Sequence, residues 1–221
     1  MSAWAVLVAA GRGERLGGDR PKAFAKLRDR PLLAESLERL ENSDWIDAIV
    51  IVAPRGWEEP STLVAEELAC SKVVATVGGG ETRAESVRAG LAEVDEGATV
   101  VLVHDAARPA LPEEVIQRVL EALNEGWDGA VPALPPADTL KRVSGRQVVE
   151  TLPREELAAA QTPQAFLAPV LREAFAGDVA GATDCSAVVE AHGGRVTTVH
   201  GDRRLLKVTE PADLEMVAAF L

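Results

Sequence analysis

The chain has 221 residues, of which 47% are apolar and 26% charged, with a formal net charge of -12 and a pI near 4.8. That length suits one sizeable hydrophobic core, and the acidic balance argues against a surface that coats DNA or RNA, because such affinity comes from cations neutralising phosphates. The absence of Tyr argues against a base-stacking platform, the distant Cys70 and Cys185 fit neither a CxxC nor a zinc pattern, and no apolar run approaches the roughly 18 residues of a membrane span.

The first element is the apolar run Ala3 to Ala10, which lacks the basic flank of a signal peptide and ends in the loop GRGERLGGDRPK. Together with the two isolated cysteines it points to a reduced, cytoplasmic protein. The loop carries Arg12, Arg15, Arg20 and Lys22, and its glycines at 11, 13, 17 and 18 let backbone N–H groups approach phosphate oxygens. Arg15 and Lys22 can neutralise those oxygens, whereas a tight turn with solvated arginines is the alternative. A dinucleotide fingerprint opening at Gly11 and Gly13 would need a small residue where Leu16 stands, which argues against a NAD-dependent oxidoreductase. No GxxxxGK[ST] phosphate loop occurs either.

Further along, Pro31 to Leu40 and Leu111 to Leu123 place apolar residues at helical spacing, and β-branched runs recur at Ala48 to Ala53, Val73 to Val77, Thr99 to Val103, Ala130 to Leu134 and Arg195 to His200. This alternation predicts an α/β fold, a mostly parallel, doubly wound, Rossmann-like sheet with ligands gathered at the carboxyl ends of its strands. One domain spanning residues 1–221 accommodates it.

After the run Val73 to Val77, Gly78, Gly79 and Gly80 precede ETRAES, where Thr82 and Glu85 have the spacing of a capping box. A glycine corner at a strand end lets a flat base approach the backbone, with the Ser86 hydroxyl able to read its polar edge. In VVLVHDAARP, Asp105 suits either a magnesium ion or a turn, and Arg108 either a phosphate or a surface ion pair. His104 reads as a hydrogen-bonding residue rather than a general base, since a phosphate nucleophile is already ionised at pH 7.

Thr139 to Leu152 reads as two short strands around Ser144-Gly145. A two-stranded ribbon is marginal alone, so this arm, at about residues 136–155, is expected to pack on a second subunit in a homodimer. Arg154 and Lys207 are single cations open to solvation, and Thr162-Pro163-Gln164 and Thr183-Asp184 suit turns and helix caps.

Taken together, AAGRGERLGGDRPK, GGGETRAESV, VLVHDAARP, DTLKR, TLPR, QTPQAF, ATDCSAVVE and KVTEPADL resemble, in order, the 2-C-methyl-D-erythritol 4-phosphate cytidylyltransferase family. The resemblance implies a nucleotidyltransferase fold, a homodimer with an exchanged arm, magnesium, and transfer of CMP from CTP to a methylerythritol phosphate in non-mevalonate isoprenoid biosynthesis. It implies that Arg15 and Lys22 stabilise the transition state at the α-phosphate, that Ala9, Ala10, Gly11, Gly80 and Ser86 form the cytidine pocket, and that Glu81 lies near the ribose. It places Asp105 near metal and substrate and Arg108 near the sugar-phosphate. Thr139 and Arg154 would reach the neighbouring subunit's substrate, while Thr162 and Lys207 contact substrate from the main body. Arg154 and Lys207 would position the attacking phosphate. Leu205 stands where many relatives have Asn, which weakens the case for a second metal ligand there, and Cys185 replaces a commonly acidic residue. A cytidylyltransferase for another polyol phosphate, such as ribitol 5-phosphate, and a nucleotide-sensing module without turnover are the competing readings.

Overall fold

The computed structural model describes residues 2–11, 13–17 and 20–221. The N-terminal half runs β1 (Ala3–Val8), the ribbon β2 (Lys26–Leu27) and β3 (Arg30–Pro31), α1 (Leu32–Glu41), β4 (Ala48–Ala53), α2 (Glu58–Glu67), β5 (Val73–Gly78), α3 (Arg83–Leu91) and β6 (Val100–Asp105). There follow α4 (Glu113–Asn124), β7 (Gly129–Leu134), the arm strands β8 (Lys141–Ser144) and β9 (Gln147–Thr151), β10 (Ala159–Ala160) and β11 (Gln164–Leu167). The chain closes with α5 (Ala168–Ala176), α6 (Cys185–Ala191), β12 (Val196–His200) and α7 (Pro211–Ala218).

In the main sheet β12 borders β7, β10 and β11 share the other edge of β7, and β6, β1, β4 and β5 follow in that order. Pairing is parallel among β6, β1, β4 and β5 and between β7 and β12, while β11 runs antiparallel to both β6 and β7. The expected mostly parallel sheet is therefore present, with two antiparallel strands, the short β10 and the inserted β11, whose QAFL lacks a β-branched residue and does not announce it.

Both faces are covered. Leu7, Ile49, Ile51 and Leu102 pack in one layer with Leu37 of α1 and Ile116 of α4, and Val6, Val50, Val52 and Val101 pack in the other with Val87 of α3 and Leu171 of α5. Period-2 alternation sends successive side chains to opposite faces, so strands buried on both sides are apolar throughout.

Two expected boundaries shift in an informative way. The strand anticipated over Thr99 to Val103 continues to Asp105, because β1 still pairs with it through Leu7 opposite His104 and Val8 opposite Asp105. The helix anticipated from Pro31 begins at Leu32, with Pro31 at the N-cap, where its missing N–H is no loss.

Candidate active site

Asp105 ends β6 beside the end of β1, and only 6% of it is exposed. Its Oδ1 accepts hydrogen bonds from Arg83 Nε at 3.0 Å and Nη2 at 2.9 Å, and its Oδ2 accepts one from Lys207 Nζ at 2.7 Å. Burial alone would raise the carboxyl pKa, but the adjacent Arg83 and Lys207 outweigh it and hold the group ionised well below the usual carboxylate range. Removing one partner of such a buried pair costs about 3–5 kcal/mol, because an uncompensated charge is left behind.

The segment around Lys207 is clamped from several sides. Arg108 Nη1 donates to the Leu205 carbonyl at 2.5 Å, Lys22 Nζ donates to the Val208 carbonyl at 3.1 Å, and the Val208 amide donates to the Ala107 carbonyl at 2.8 Å. Leu205 is wholly buried, which suits an apolar residue at this position. Burial and the proximity of Lys207 lower the Lys22 pKa. Gly13, at φ 70°, lies so close to Lys22 that a side chain there would overlap the lysine Cβ, so the loop glycine lets the chain close on its own cation.

The glycine corner after β5 has a different construction. Thr82 caps α3 by accepting from the Glu85 amide at 3.1 Å, and Glu85 returns the contact, completing the expected capping box. Ser86 accepts the Gly80 amide at 3.1 Å and donates to the Thr82 carbonyl at 2.9 Å, so its hydroxyl is a brace of the corner as well as part of its lining. A Cβ on Gly79 would overlap that of Ala10, and one on Gly80 that of Glu85. Arg55 ties the corner down through the Gly79 carbonyl at 2.9 Å and Glu81 at 3.2 Å.

Two cavities meet at this place. One, of about 250 Å³, is lined by Ala9, Ala10, Gly11, Lys22, Gly80, Glu81 and Ser86; the other, of about 230 Å³, by Arg108, Thr162, Gln164, Thr183 and Asp184. Arg83, Asp105 and Lys207 line both and form their shared wall. Gln164 is fixed in the second cavity by donating to Asp184 Oδ2 at 2.8 Å, while Asp184 caps α6. A glycine-lined cavity joined through cations to a polar one suits a nucleotide beside a phosphorylated acceptor.

The model of the family 2-C-methyl-D-erythritol 4-phosphate cytidylyltransferase, IspD, matches residues 3–221. The chain belongs to this cytidylyltransferase family. Its relatives include the 2-C-methyl-D-erythritol 4-phosphate cytidylyltransferase of Frankia casuarinae, 43% identical over 98% of this chain and 80% of the relative, and that of Saccharopolyspora erythraea, 42% identical over the whole of both. The crystal structure of the Francisella tularensis 2-C-methyl-D-erythritol 4-phosphate cytidylyltransferase superposes with a TM-score of 0.85 at 29% identity, covering both chains fully. The nucleotidyltransferase fold follows, and these names do not favour a ribitol phosphate enzyme.

Of the residues expected in a cytidylyltransferase site, Ala9, Ala10, Gly11, Lys22, Gly80, Glu81, Ser86, Asp105, Arg108, Thr162 and Lys207 all line one or both cavities. Arg15 is exposed on the loop and lines neither, although its charge is felt at Lys22. Thr139 and Arg154 are exposed and lie outside both cavities; Arg154 donates to the Ala137 carbonyl at 3.3 Å and faces Glu155 at 3.7 Å. Arg12 and Gly18 lie outside the described residues.

Asp105, which suits either a magnesium ion or a turn by sequence, accepts hydrogen bonds from Arg83 and Lys207 on its two carboxylate oxygens, and among the described residues no group of three or more His, Cys, Asp or Glu side chains could hold a metal ion. The donor set is that of an ion-pair hub and does not fit a metal held by the protein alone. Sequence reasoning passed over Arg83 itself, whose one local signal is its place directly after a capping threonine at a glycine corner.

Proposed function

We propose that this chain transfers CMP from CTP to 2-C-methyl-D-erythritol 4-phosphate, forming 4-(cytidine 5'-diphospho)-2-C-methyl-D-erythritol and pyrophosphate. The observation that carries the reading is the wall of Asp105, Arg83 and Lys207 shared by the two cavities. Cytidine occupies the cavity of Ala9, Ala10, Gly11, Gly80 and Ser86, with Glu81 toward the ribose. The acceptor enters on the side of Arg108 and Thr162, and its phosphate meets the CTP α-phosphorus at the wall.

A phosphate oxygen of the acceptor forms the new bond to that phosphorus, and the bond from the phosphorus to the bridging oxygen of pyrophosphate breaks in line with it. The acceptor phosphate is ionised at neutral pH, so no general base is required. The task is to bring anions together, which positioned cations accomplish. Lys22 and Arg15 attend the reacting α-phosphate and the departing pyrophosphate, while Lys207 orients the attacking phosphate. The nucleotide would enter as its magnesium complex, its phosphate oxygens supplying part of the metal's ligands and the ion offsetting their charge.

The arm supports a homodimer. Every residue of β8 and β9 is exposed, including Val143, Val148 and Val149 at 51–59%, and an isolated two-stranded ribbon is marginal in water. In the dimer Thr139 and Arg154 reach the neighbour's acceptor cavity, completing a site within one catalytic domain. Among the described residues no helix is long and apolar enough to cross a membrane. The cytoplasm, which holds CTP and keeps thiols reduced, suits the reaction.

Pyrophosphate release from CTP, with methylerythritol phosphate or ribitol 5-phosphate as acceptor, tests the reading. Preference for ribitol 5-phosphate would reassign the acceptor, and CTP binding without release under either condition would reject turnover.

A further inference from the structure

We propose that Arg83 is a positioning residue for this transfer: by holding one oxygen of Asp105 it leaves the other to present Lys207 at the junction of the two cavities. The inference rests on the cytidylyltransferase reading above. Arg83 opens α3 directly after its capping Thr82, so its backbone is fixed by the box formed with Glu85. Nε and Nη2 both address Asp105 Oδ1, a two-donor contact that anchors this oxygen more firmly than a single ammonium bond would.

Two further observations show how Arg83 is held against Asp105. The remaining guanidinium nitrogen, Nη1, donates to Cys185 Sγ at 3.3 Å, so all three nitrogens already have protein partners. Burial keeps that thiol neutral, with its pKa pushed up to about 11, so it is a weak acceptor that does not draw Arg83 away from Asp105. Lys207 by contrast meets the carboxylate through one bond on a flexible stem. Its place depends on where Oδ2 points and on how much of the Asp105 charge Arg83 already balances. Without Arg83, Asp105 turns and pairs with Lys207 alone, withdrawing the ammonium from the attacking phosphate.

The test measures kcat and KM separately, with CTP and methylerythritol phosphate, for Arg83→Gln, Arg83→Lys, Asp105→Asn and the double variant Arg83→Gln/Asp105→Asn, each verified as folded by its melting transition. A misplaced reacting group costs about 10²-fold, so Arg83→Gln is expected to lose kcat on that order while the KM for CTP changes little. Arg83→Lys recovers part of the loss. The double variant is no slower than Asp105→Asn alone, because Arg83 has nothing left to act through. Losses that multiply in the double variant, or a raised KM with kcat intact, overturn the inference while leaving the activity assigned. If Arg83→Gln does not fold, Arg83→Lys decides, with wild-type kcat overturning the inference and a reduced kcat at unchanged KM supporting it. A wild-type chain with no turnover overturns the functional reading and this inference together.

Discussion

The hydroxyl of Thr162 stands 3.1 Å from Nδ1 of His104 and also accepts the amide N–H of Asp105 at 3.1 Å, joining the wall between the cavities to a fully buried imidazole. The other ring nitrogen, Nε2, faces the Arg108 carbonyl at 3.1 Å, and a carbonyl can only accept, so Nε2 carries the proton and the Thr162 hydroxyl donates to Nδ1. Every group in the chain of bonds is satisfied while the ring is neutral. Its bonds to the Thr162 hydroxyl and the Arg108 carbonyl agree with the reading of His104 as a hydrogen-bonding residue.

Burial, opposed by the nearby Asp105, lowers the His104 pKa to about 4. The unfolded chain, with an ordinary histidine, binds this proton more readily, so stability is complete above about pH 6.5 and falls as the pH drops toward 4. A shift of that size corresponds to about 3 kcal/mol across the window. Asp105, held ionised, loses its contribution only below the ordinary carboxylate range. Urea melts at pH 7 and pH 4.5 are expected to show a steeper loss for the wild type than for His104→Gln, and equal losses would exclude His104 as the source.

Lys22→Ala removes a half-buried cation and also frees the Val208 carbonyl that steadies the Lys207 segment. By comparison with deleting a preorganised oxyanion donor, kcat falls by about 10² to 10³. Steady-state turnover at saturating CTP and acceptor measures this. Near-full activity would remove Lys22 from the reaction.

Gly79→Ala places a methyl group against Ala10 at the floor of the nucleotide cavity. Overpacking of this kind costs about 1–3 kcal/mol in stability, and the strain is relieved by displacing the corner that lines the base. Calorimetric titration is expected to give CTP affinity weakened by more than about tenfold, equivalent to roughly 1.4 kcal/mol. An unchanged affinity would show that CTP does not approach this corner.

Exchange of the arm is tested by pairing an Arg154→Ala chain with a Lys22→Ala chain and isolating the mixed dimer by two different tags. If each arm serves its neighbour, one site carries both defects and the other is intact, so roughly half of the wild-type activity returns. Each homodimer of a single variant remains impaired. A purified mixed dimer no more active than these would mean that Arg154 acts within its own chain or not at all.

The parallel strands, helices α1 and α4, the capping box of Thr82 and Glu85, the Gly145 turn and the gathering of Gly11 and Asp105 at strand ends were legible in the sequence, because each arises from periodicity or spacing within a few residues. Which charges would meet was not. Arg83 and Asp105 lie 22 residues apart and Lys207 lies 102 beyond Asp105, and nothing local in an arginine or lysine specifies a partner at such a distance. The tertiary structure likewise separates two cations of one loop, folding Lys22 against the Val208 carbonyl while Arg15 stays in solvent, and it inserts β11 antiparallel between β6 and β7. Local pattern determines what each segment becomes, and only closure of the sheet, which buries some charged groups and leaves others in water, decides which of them form the site.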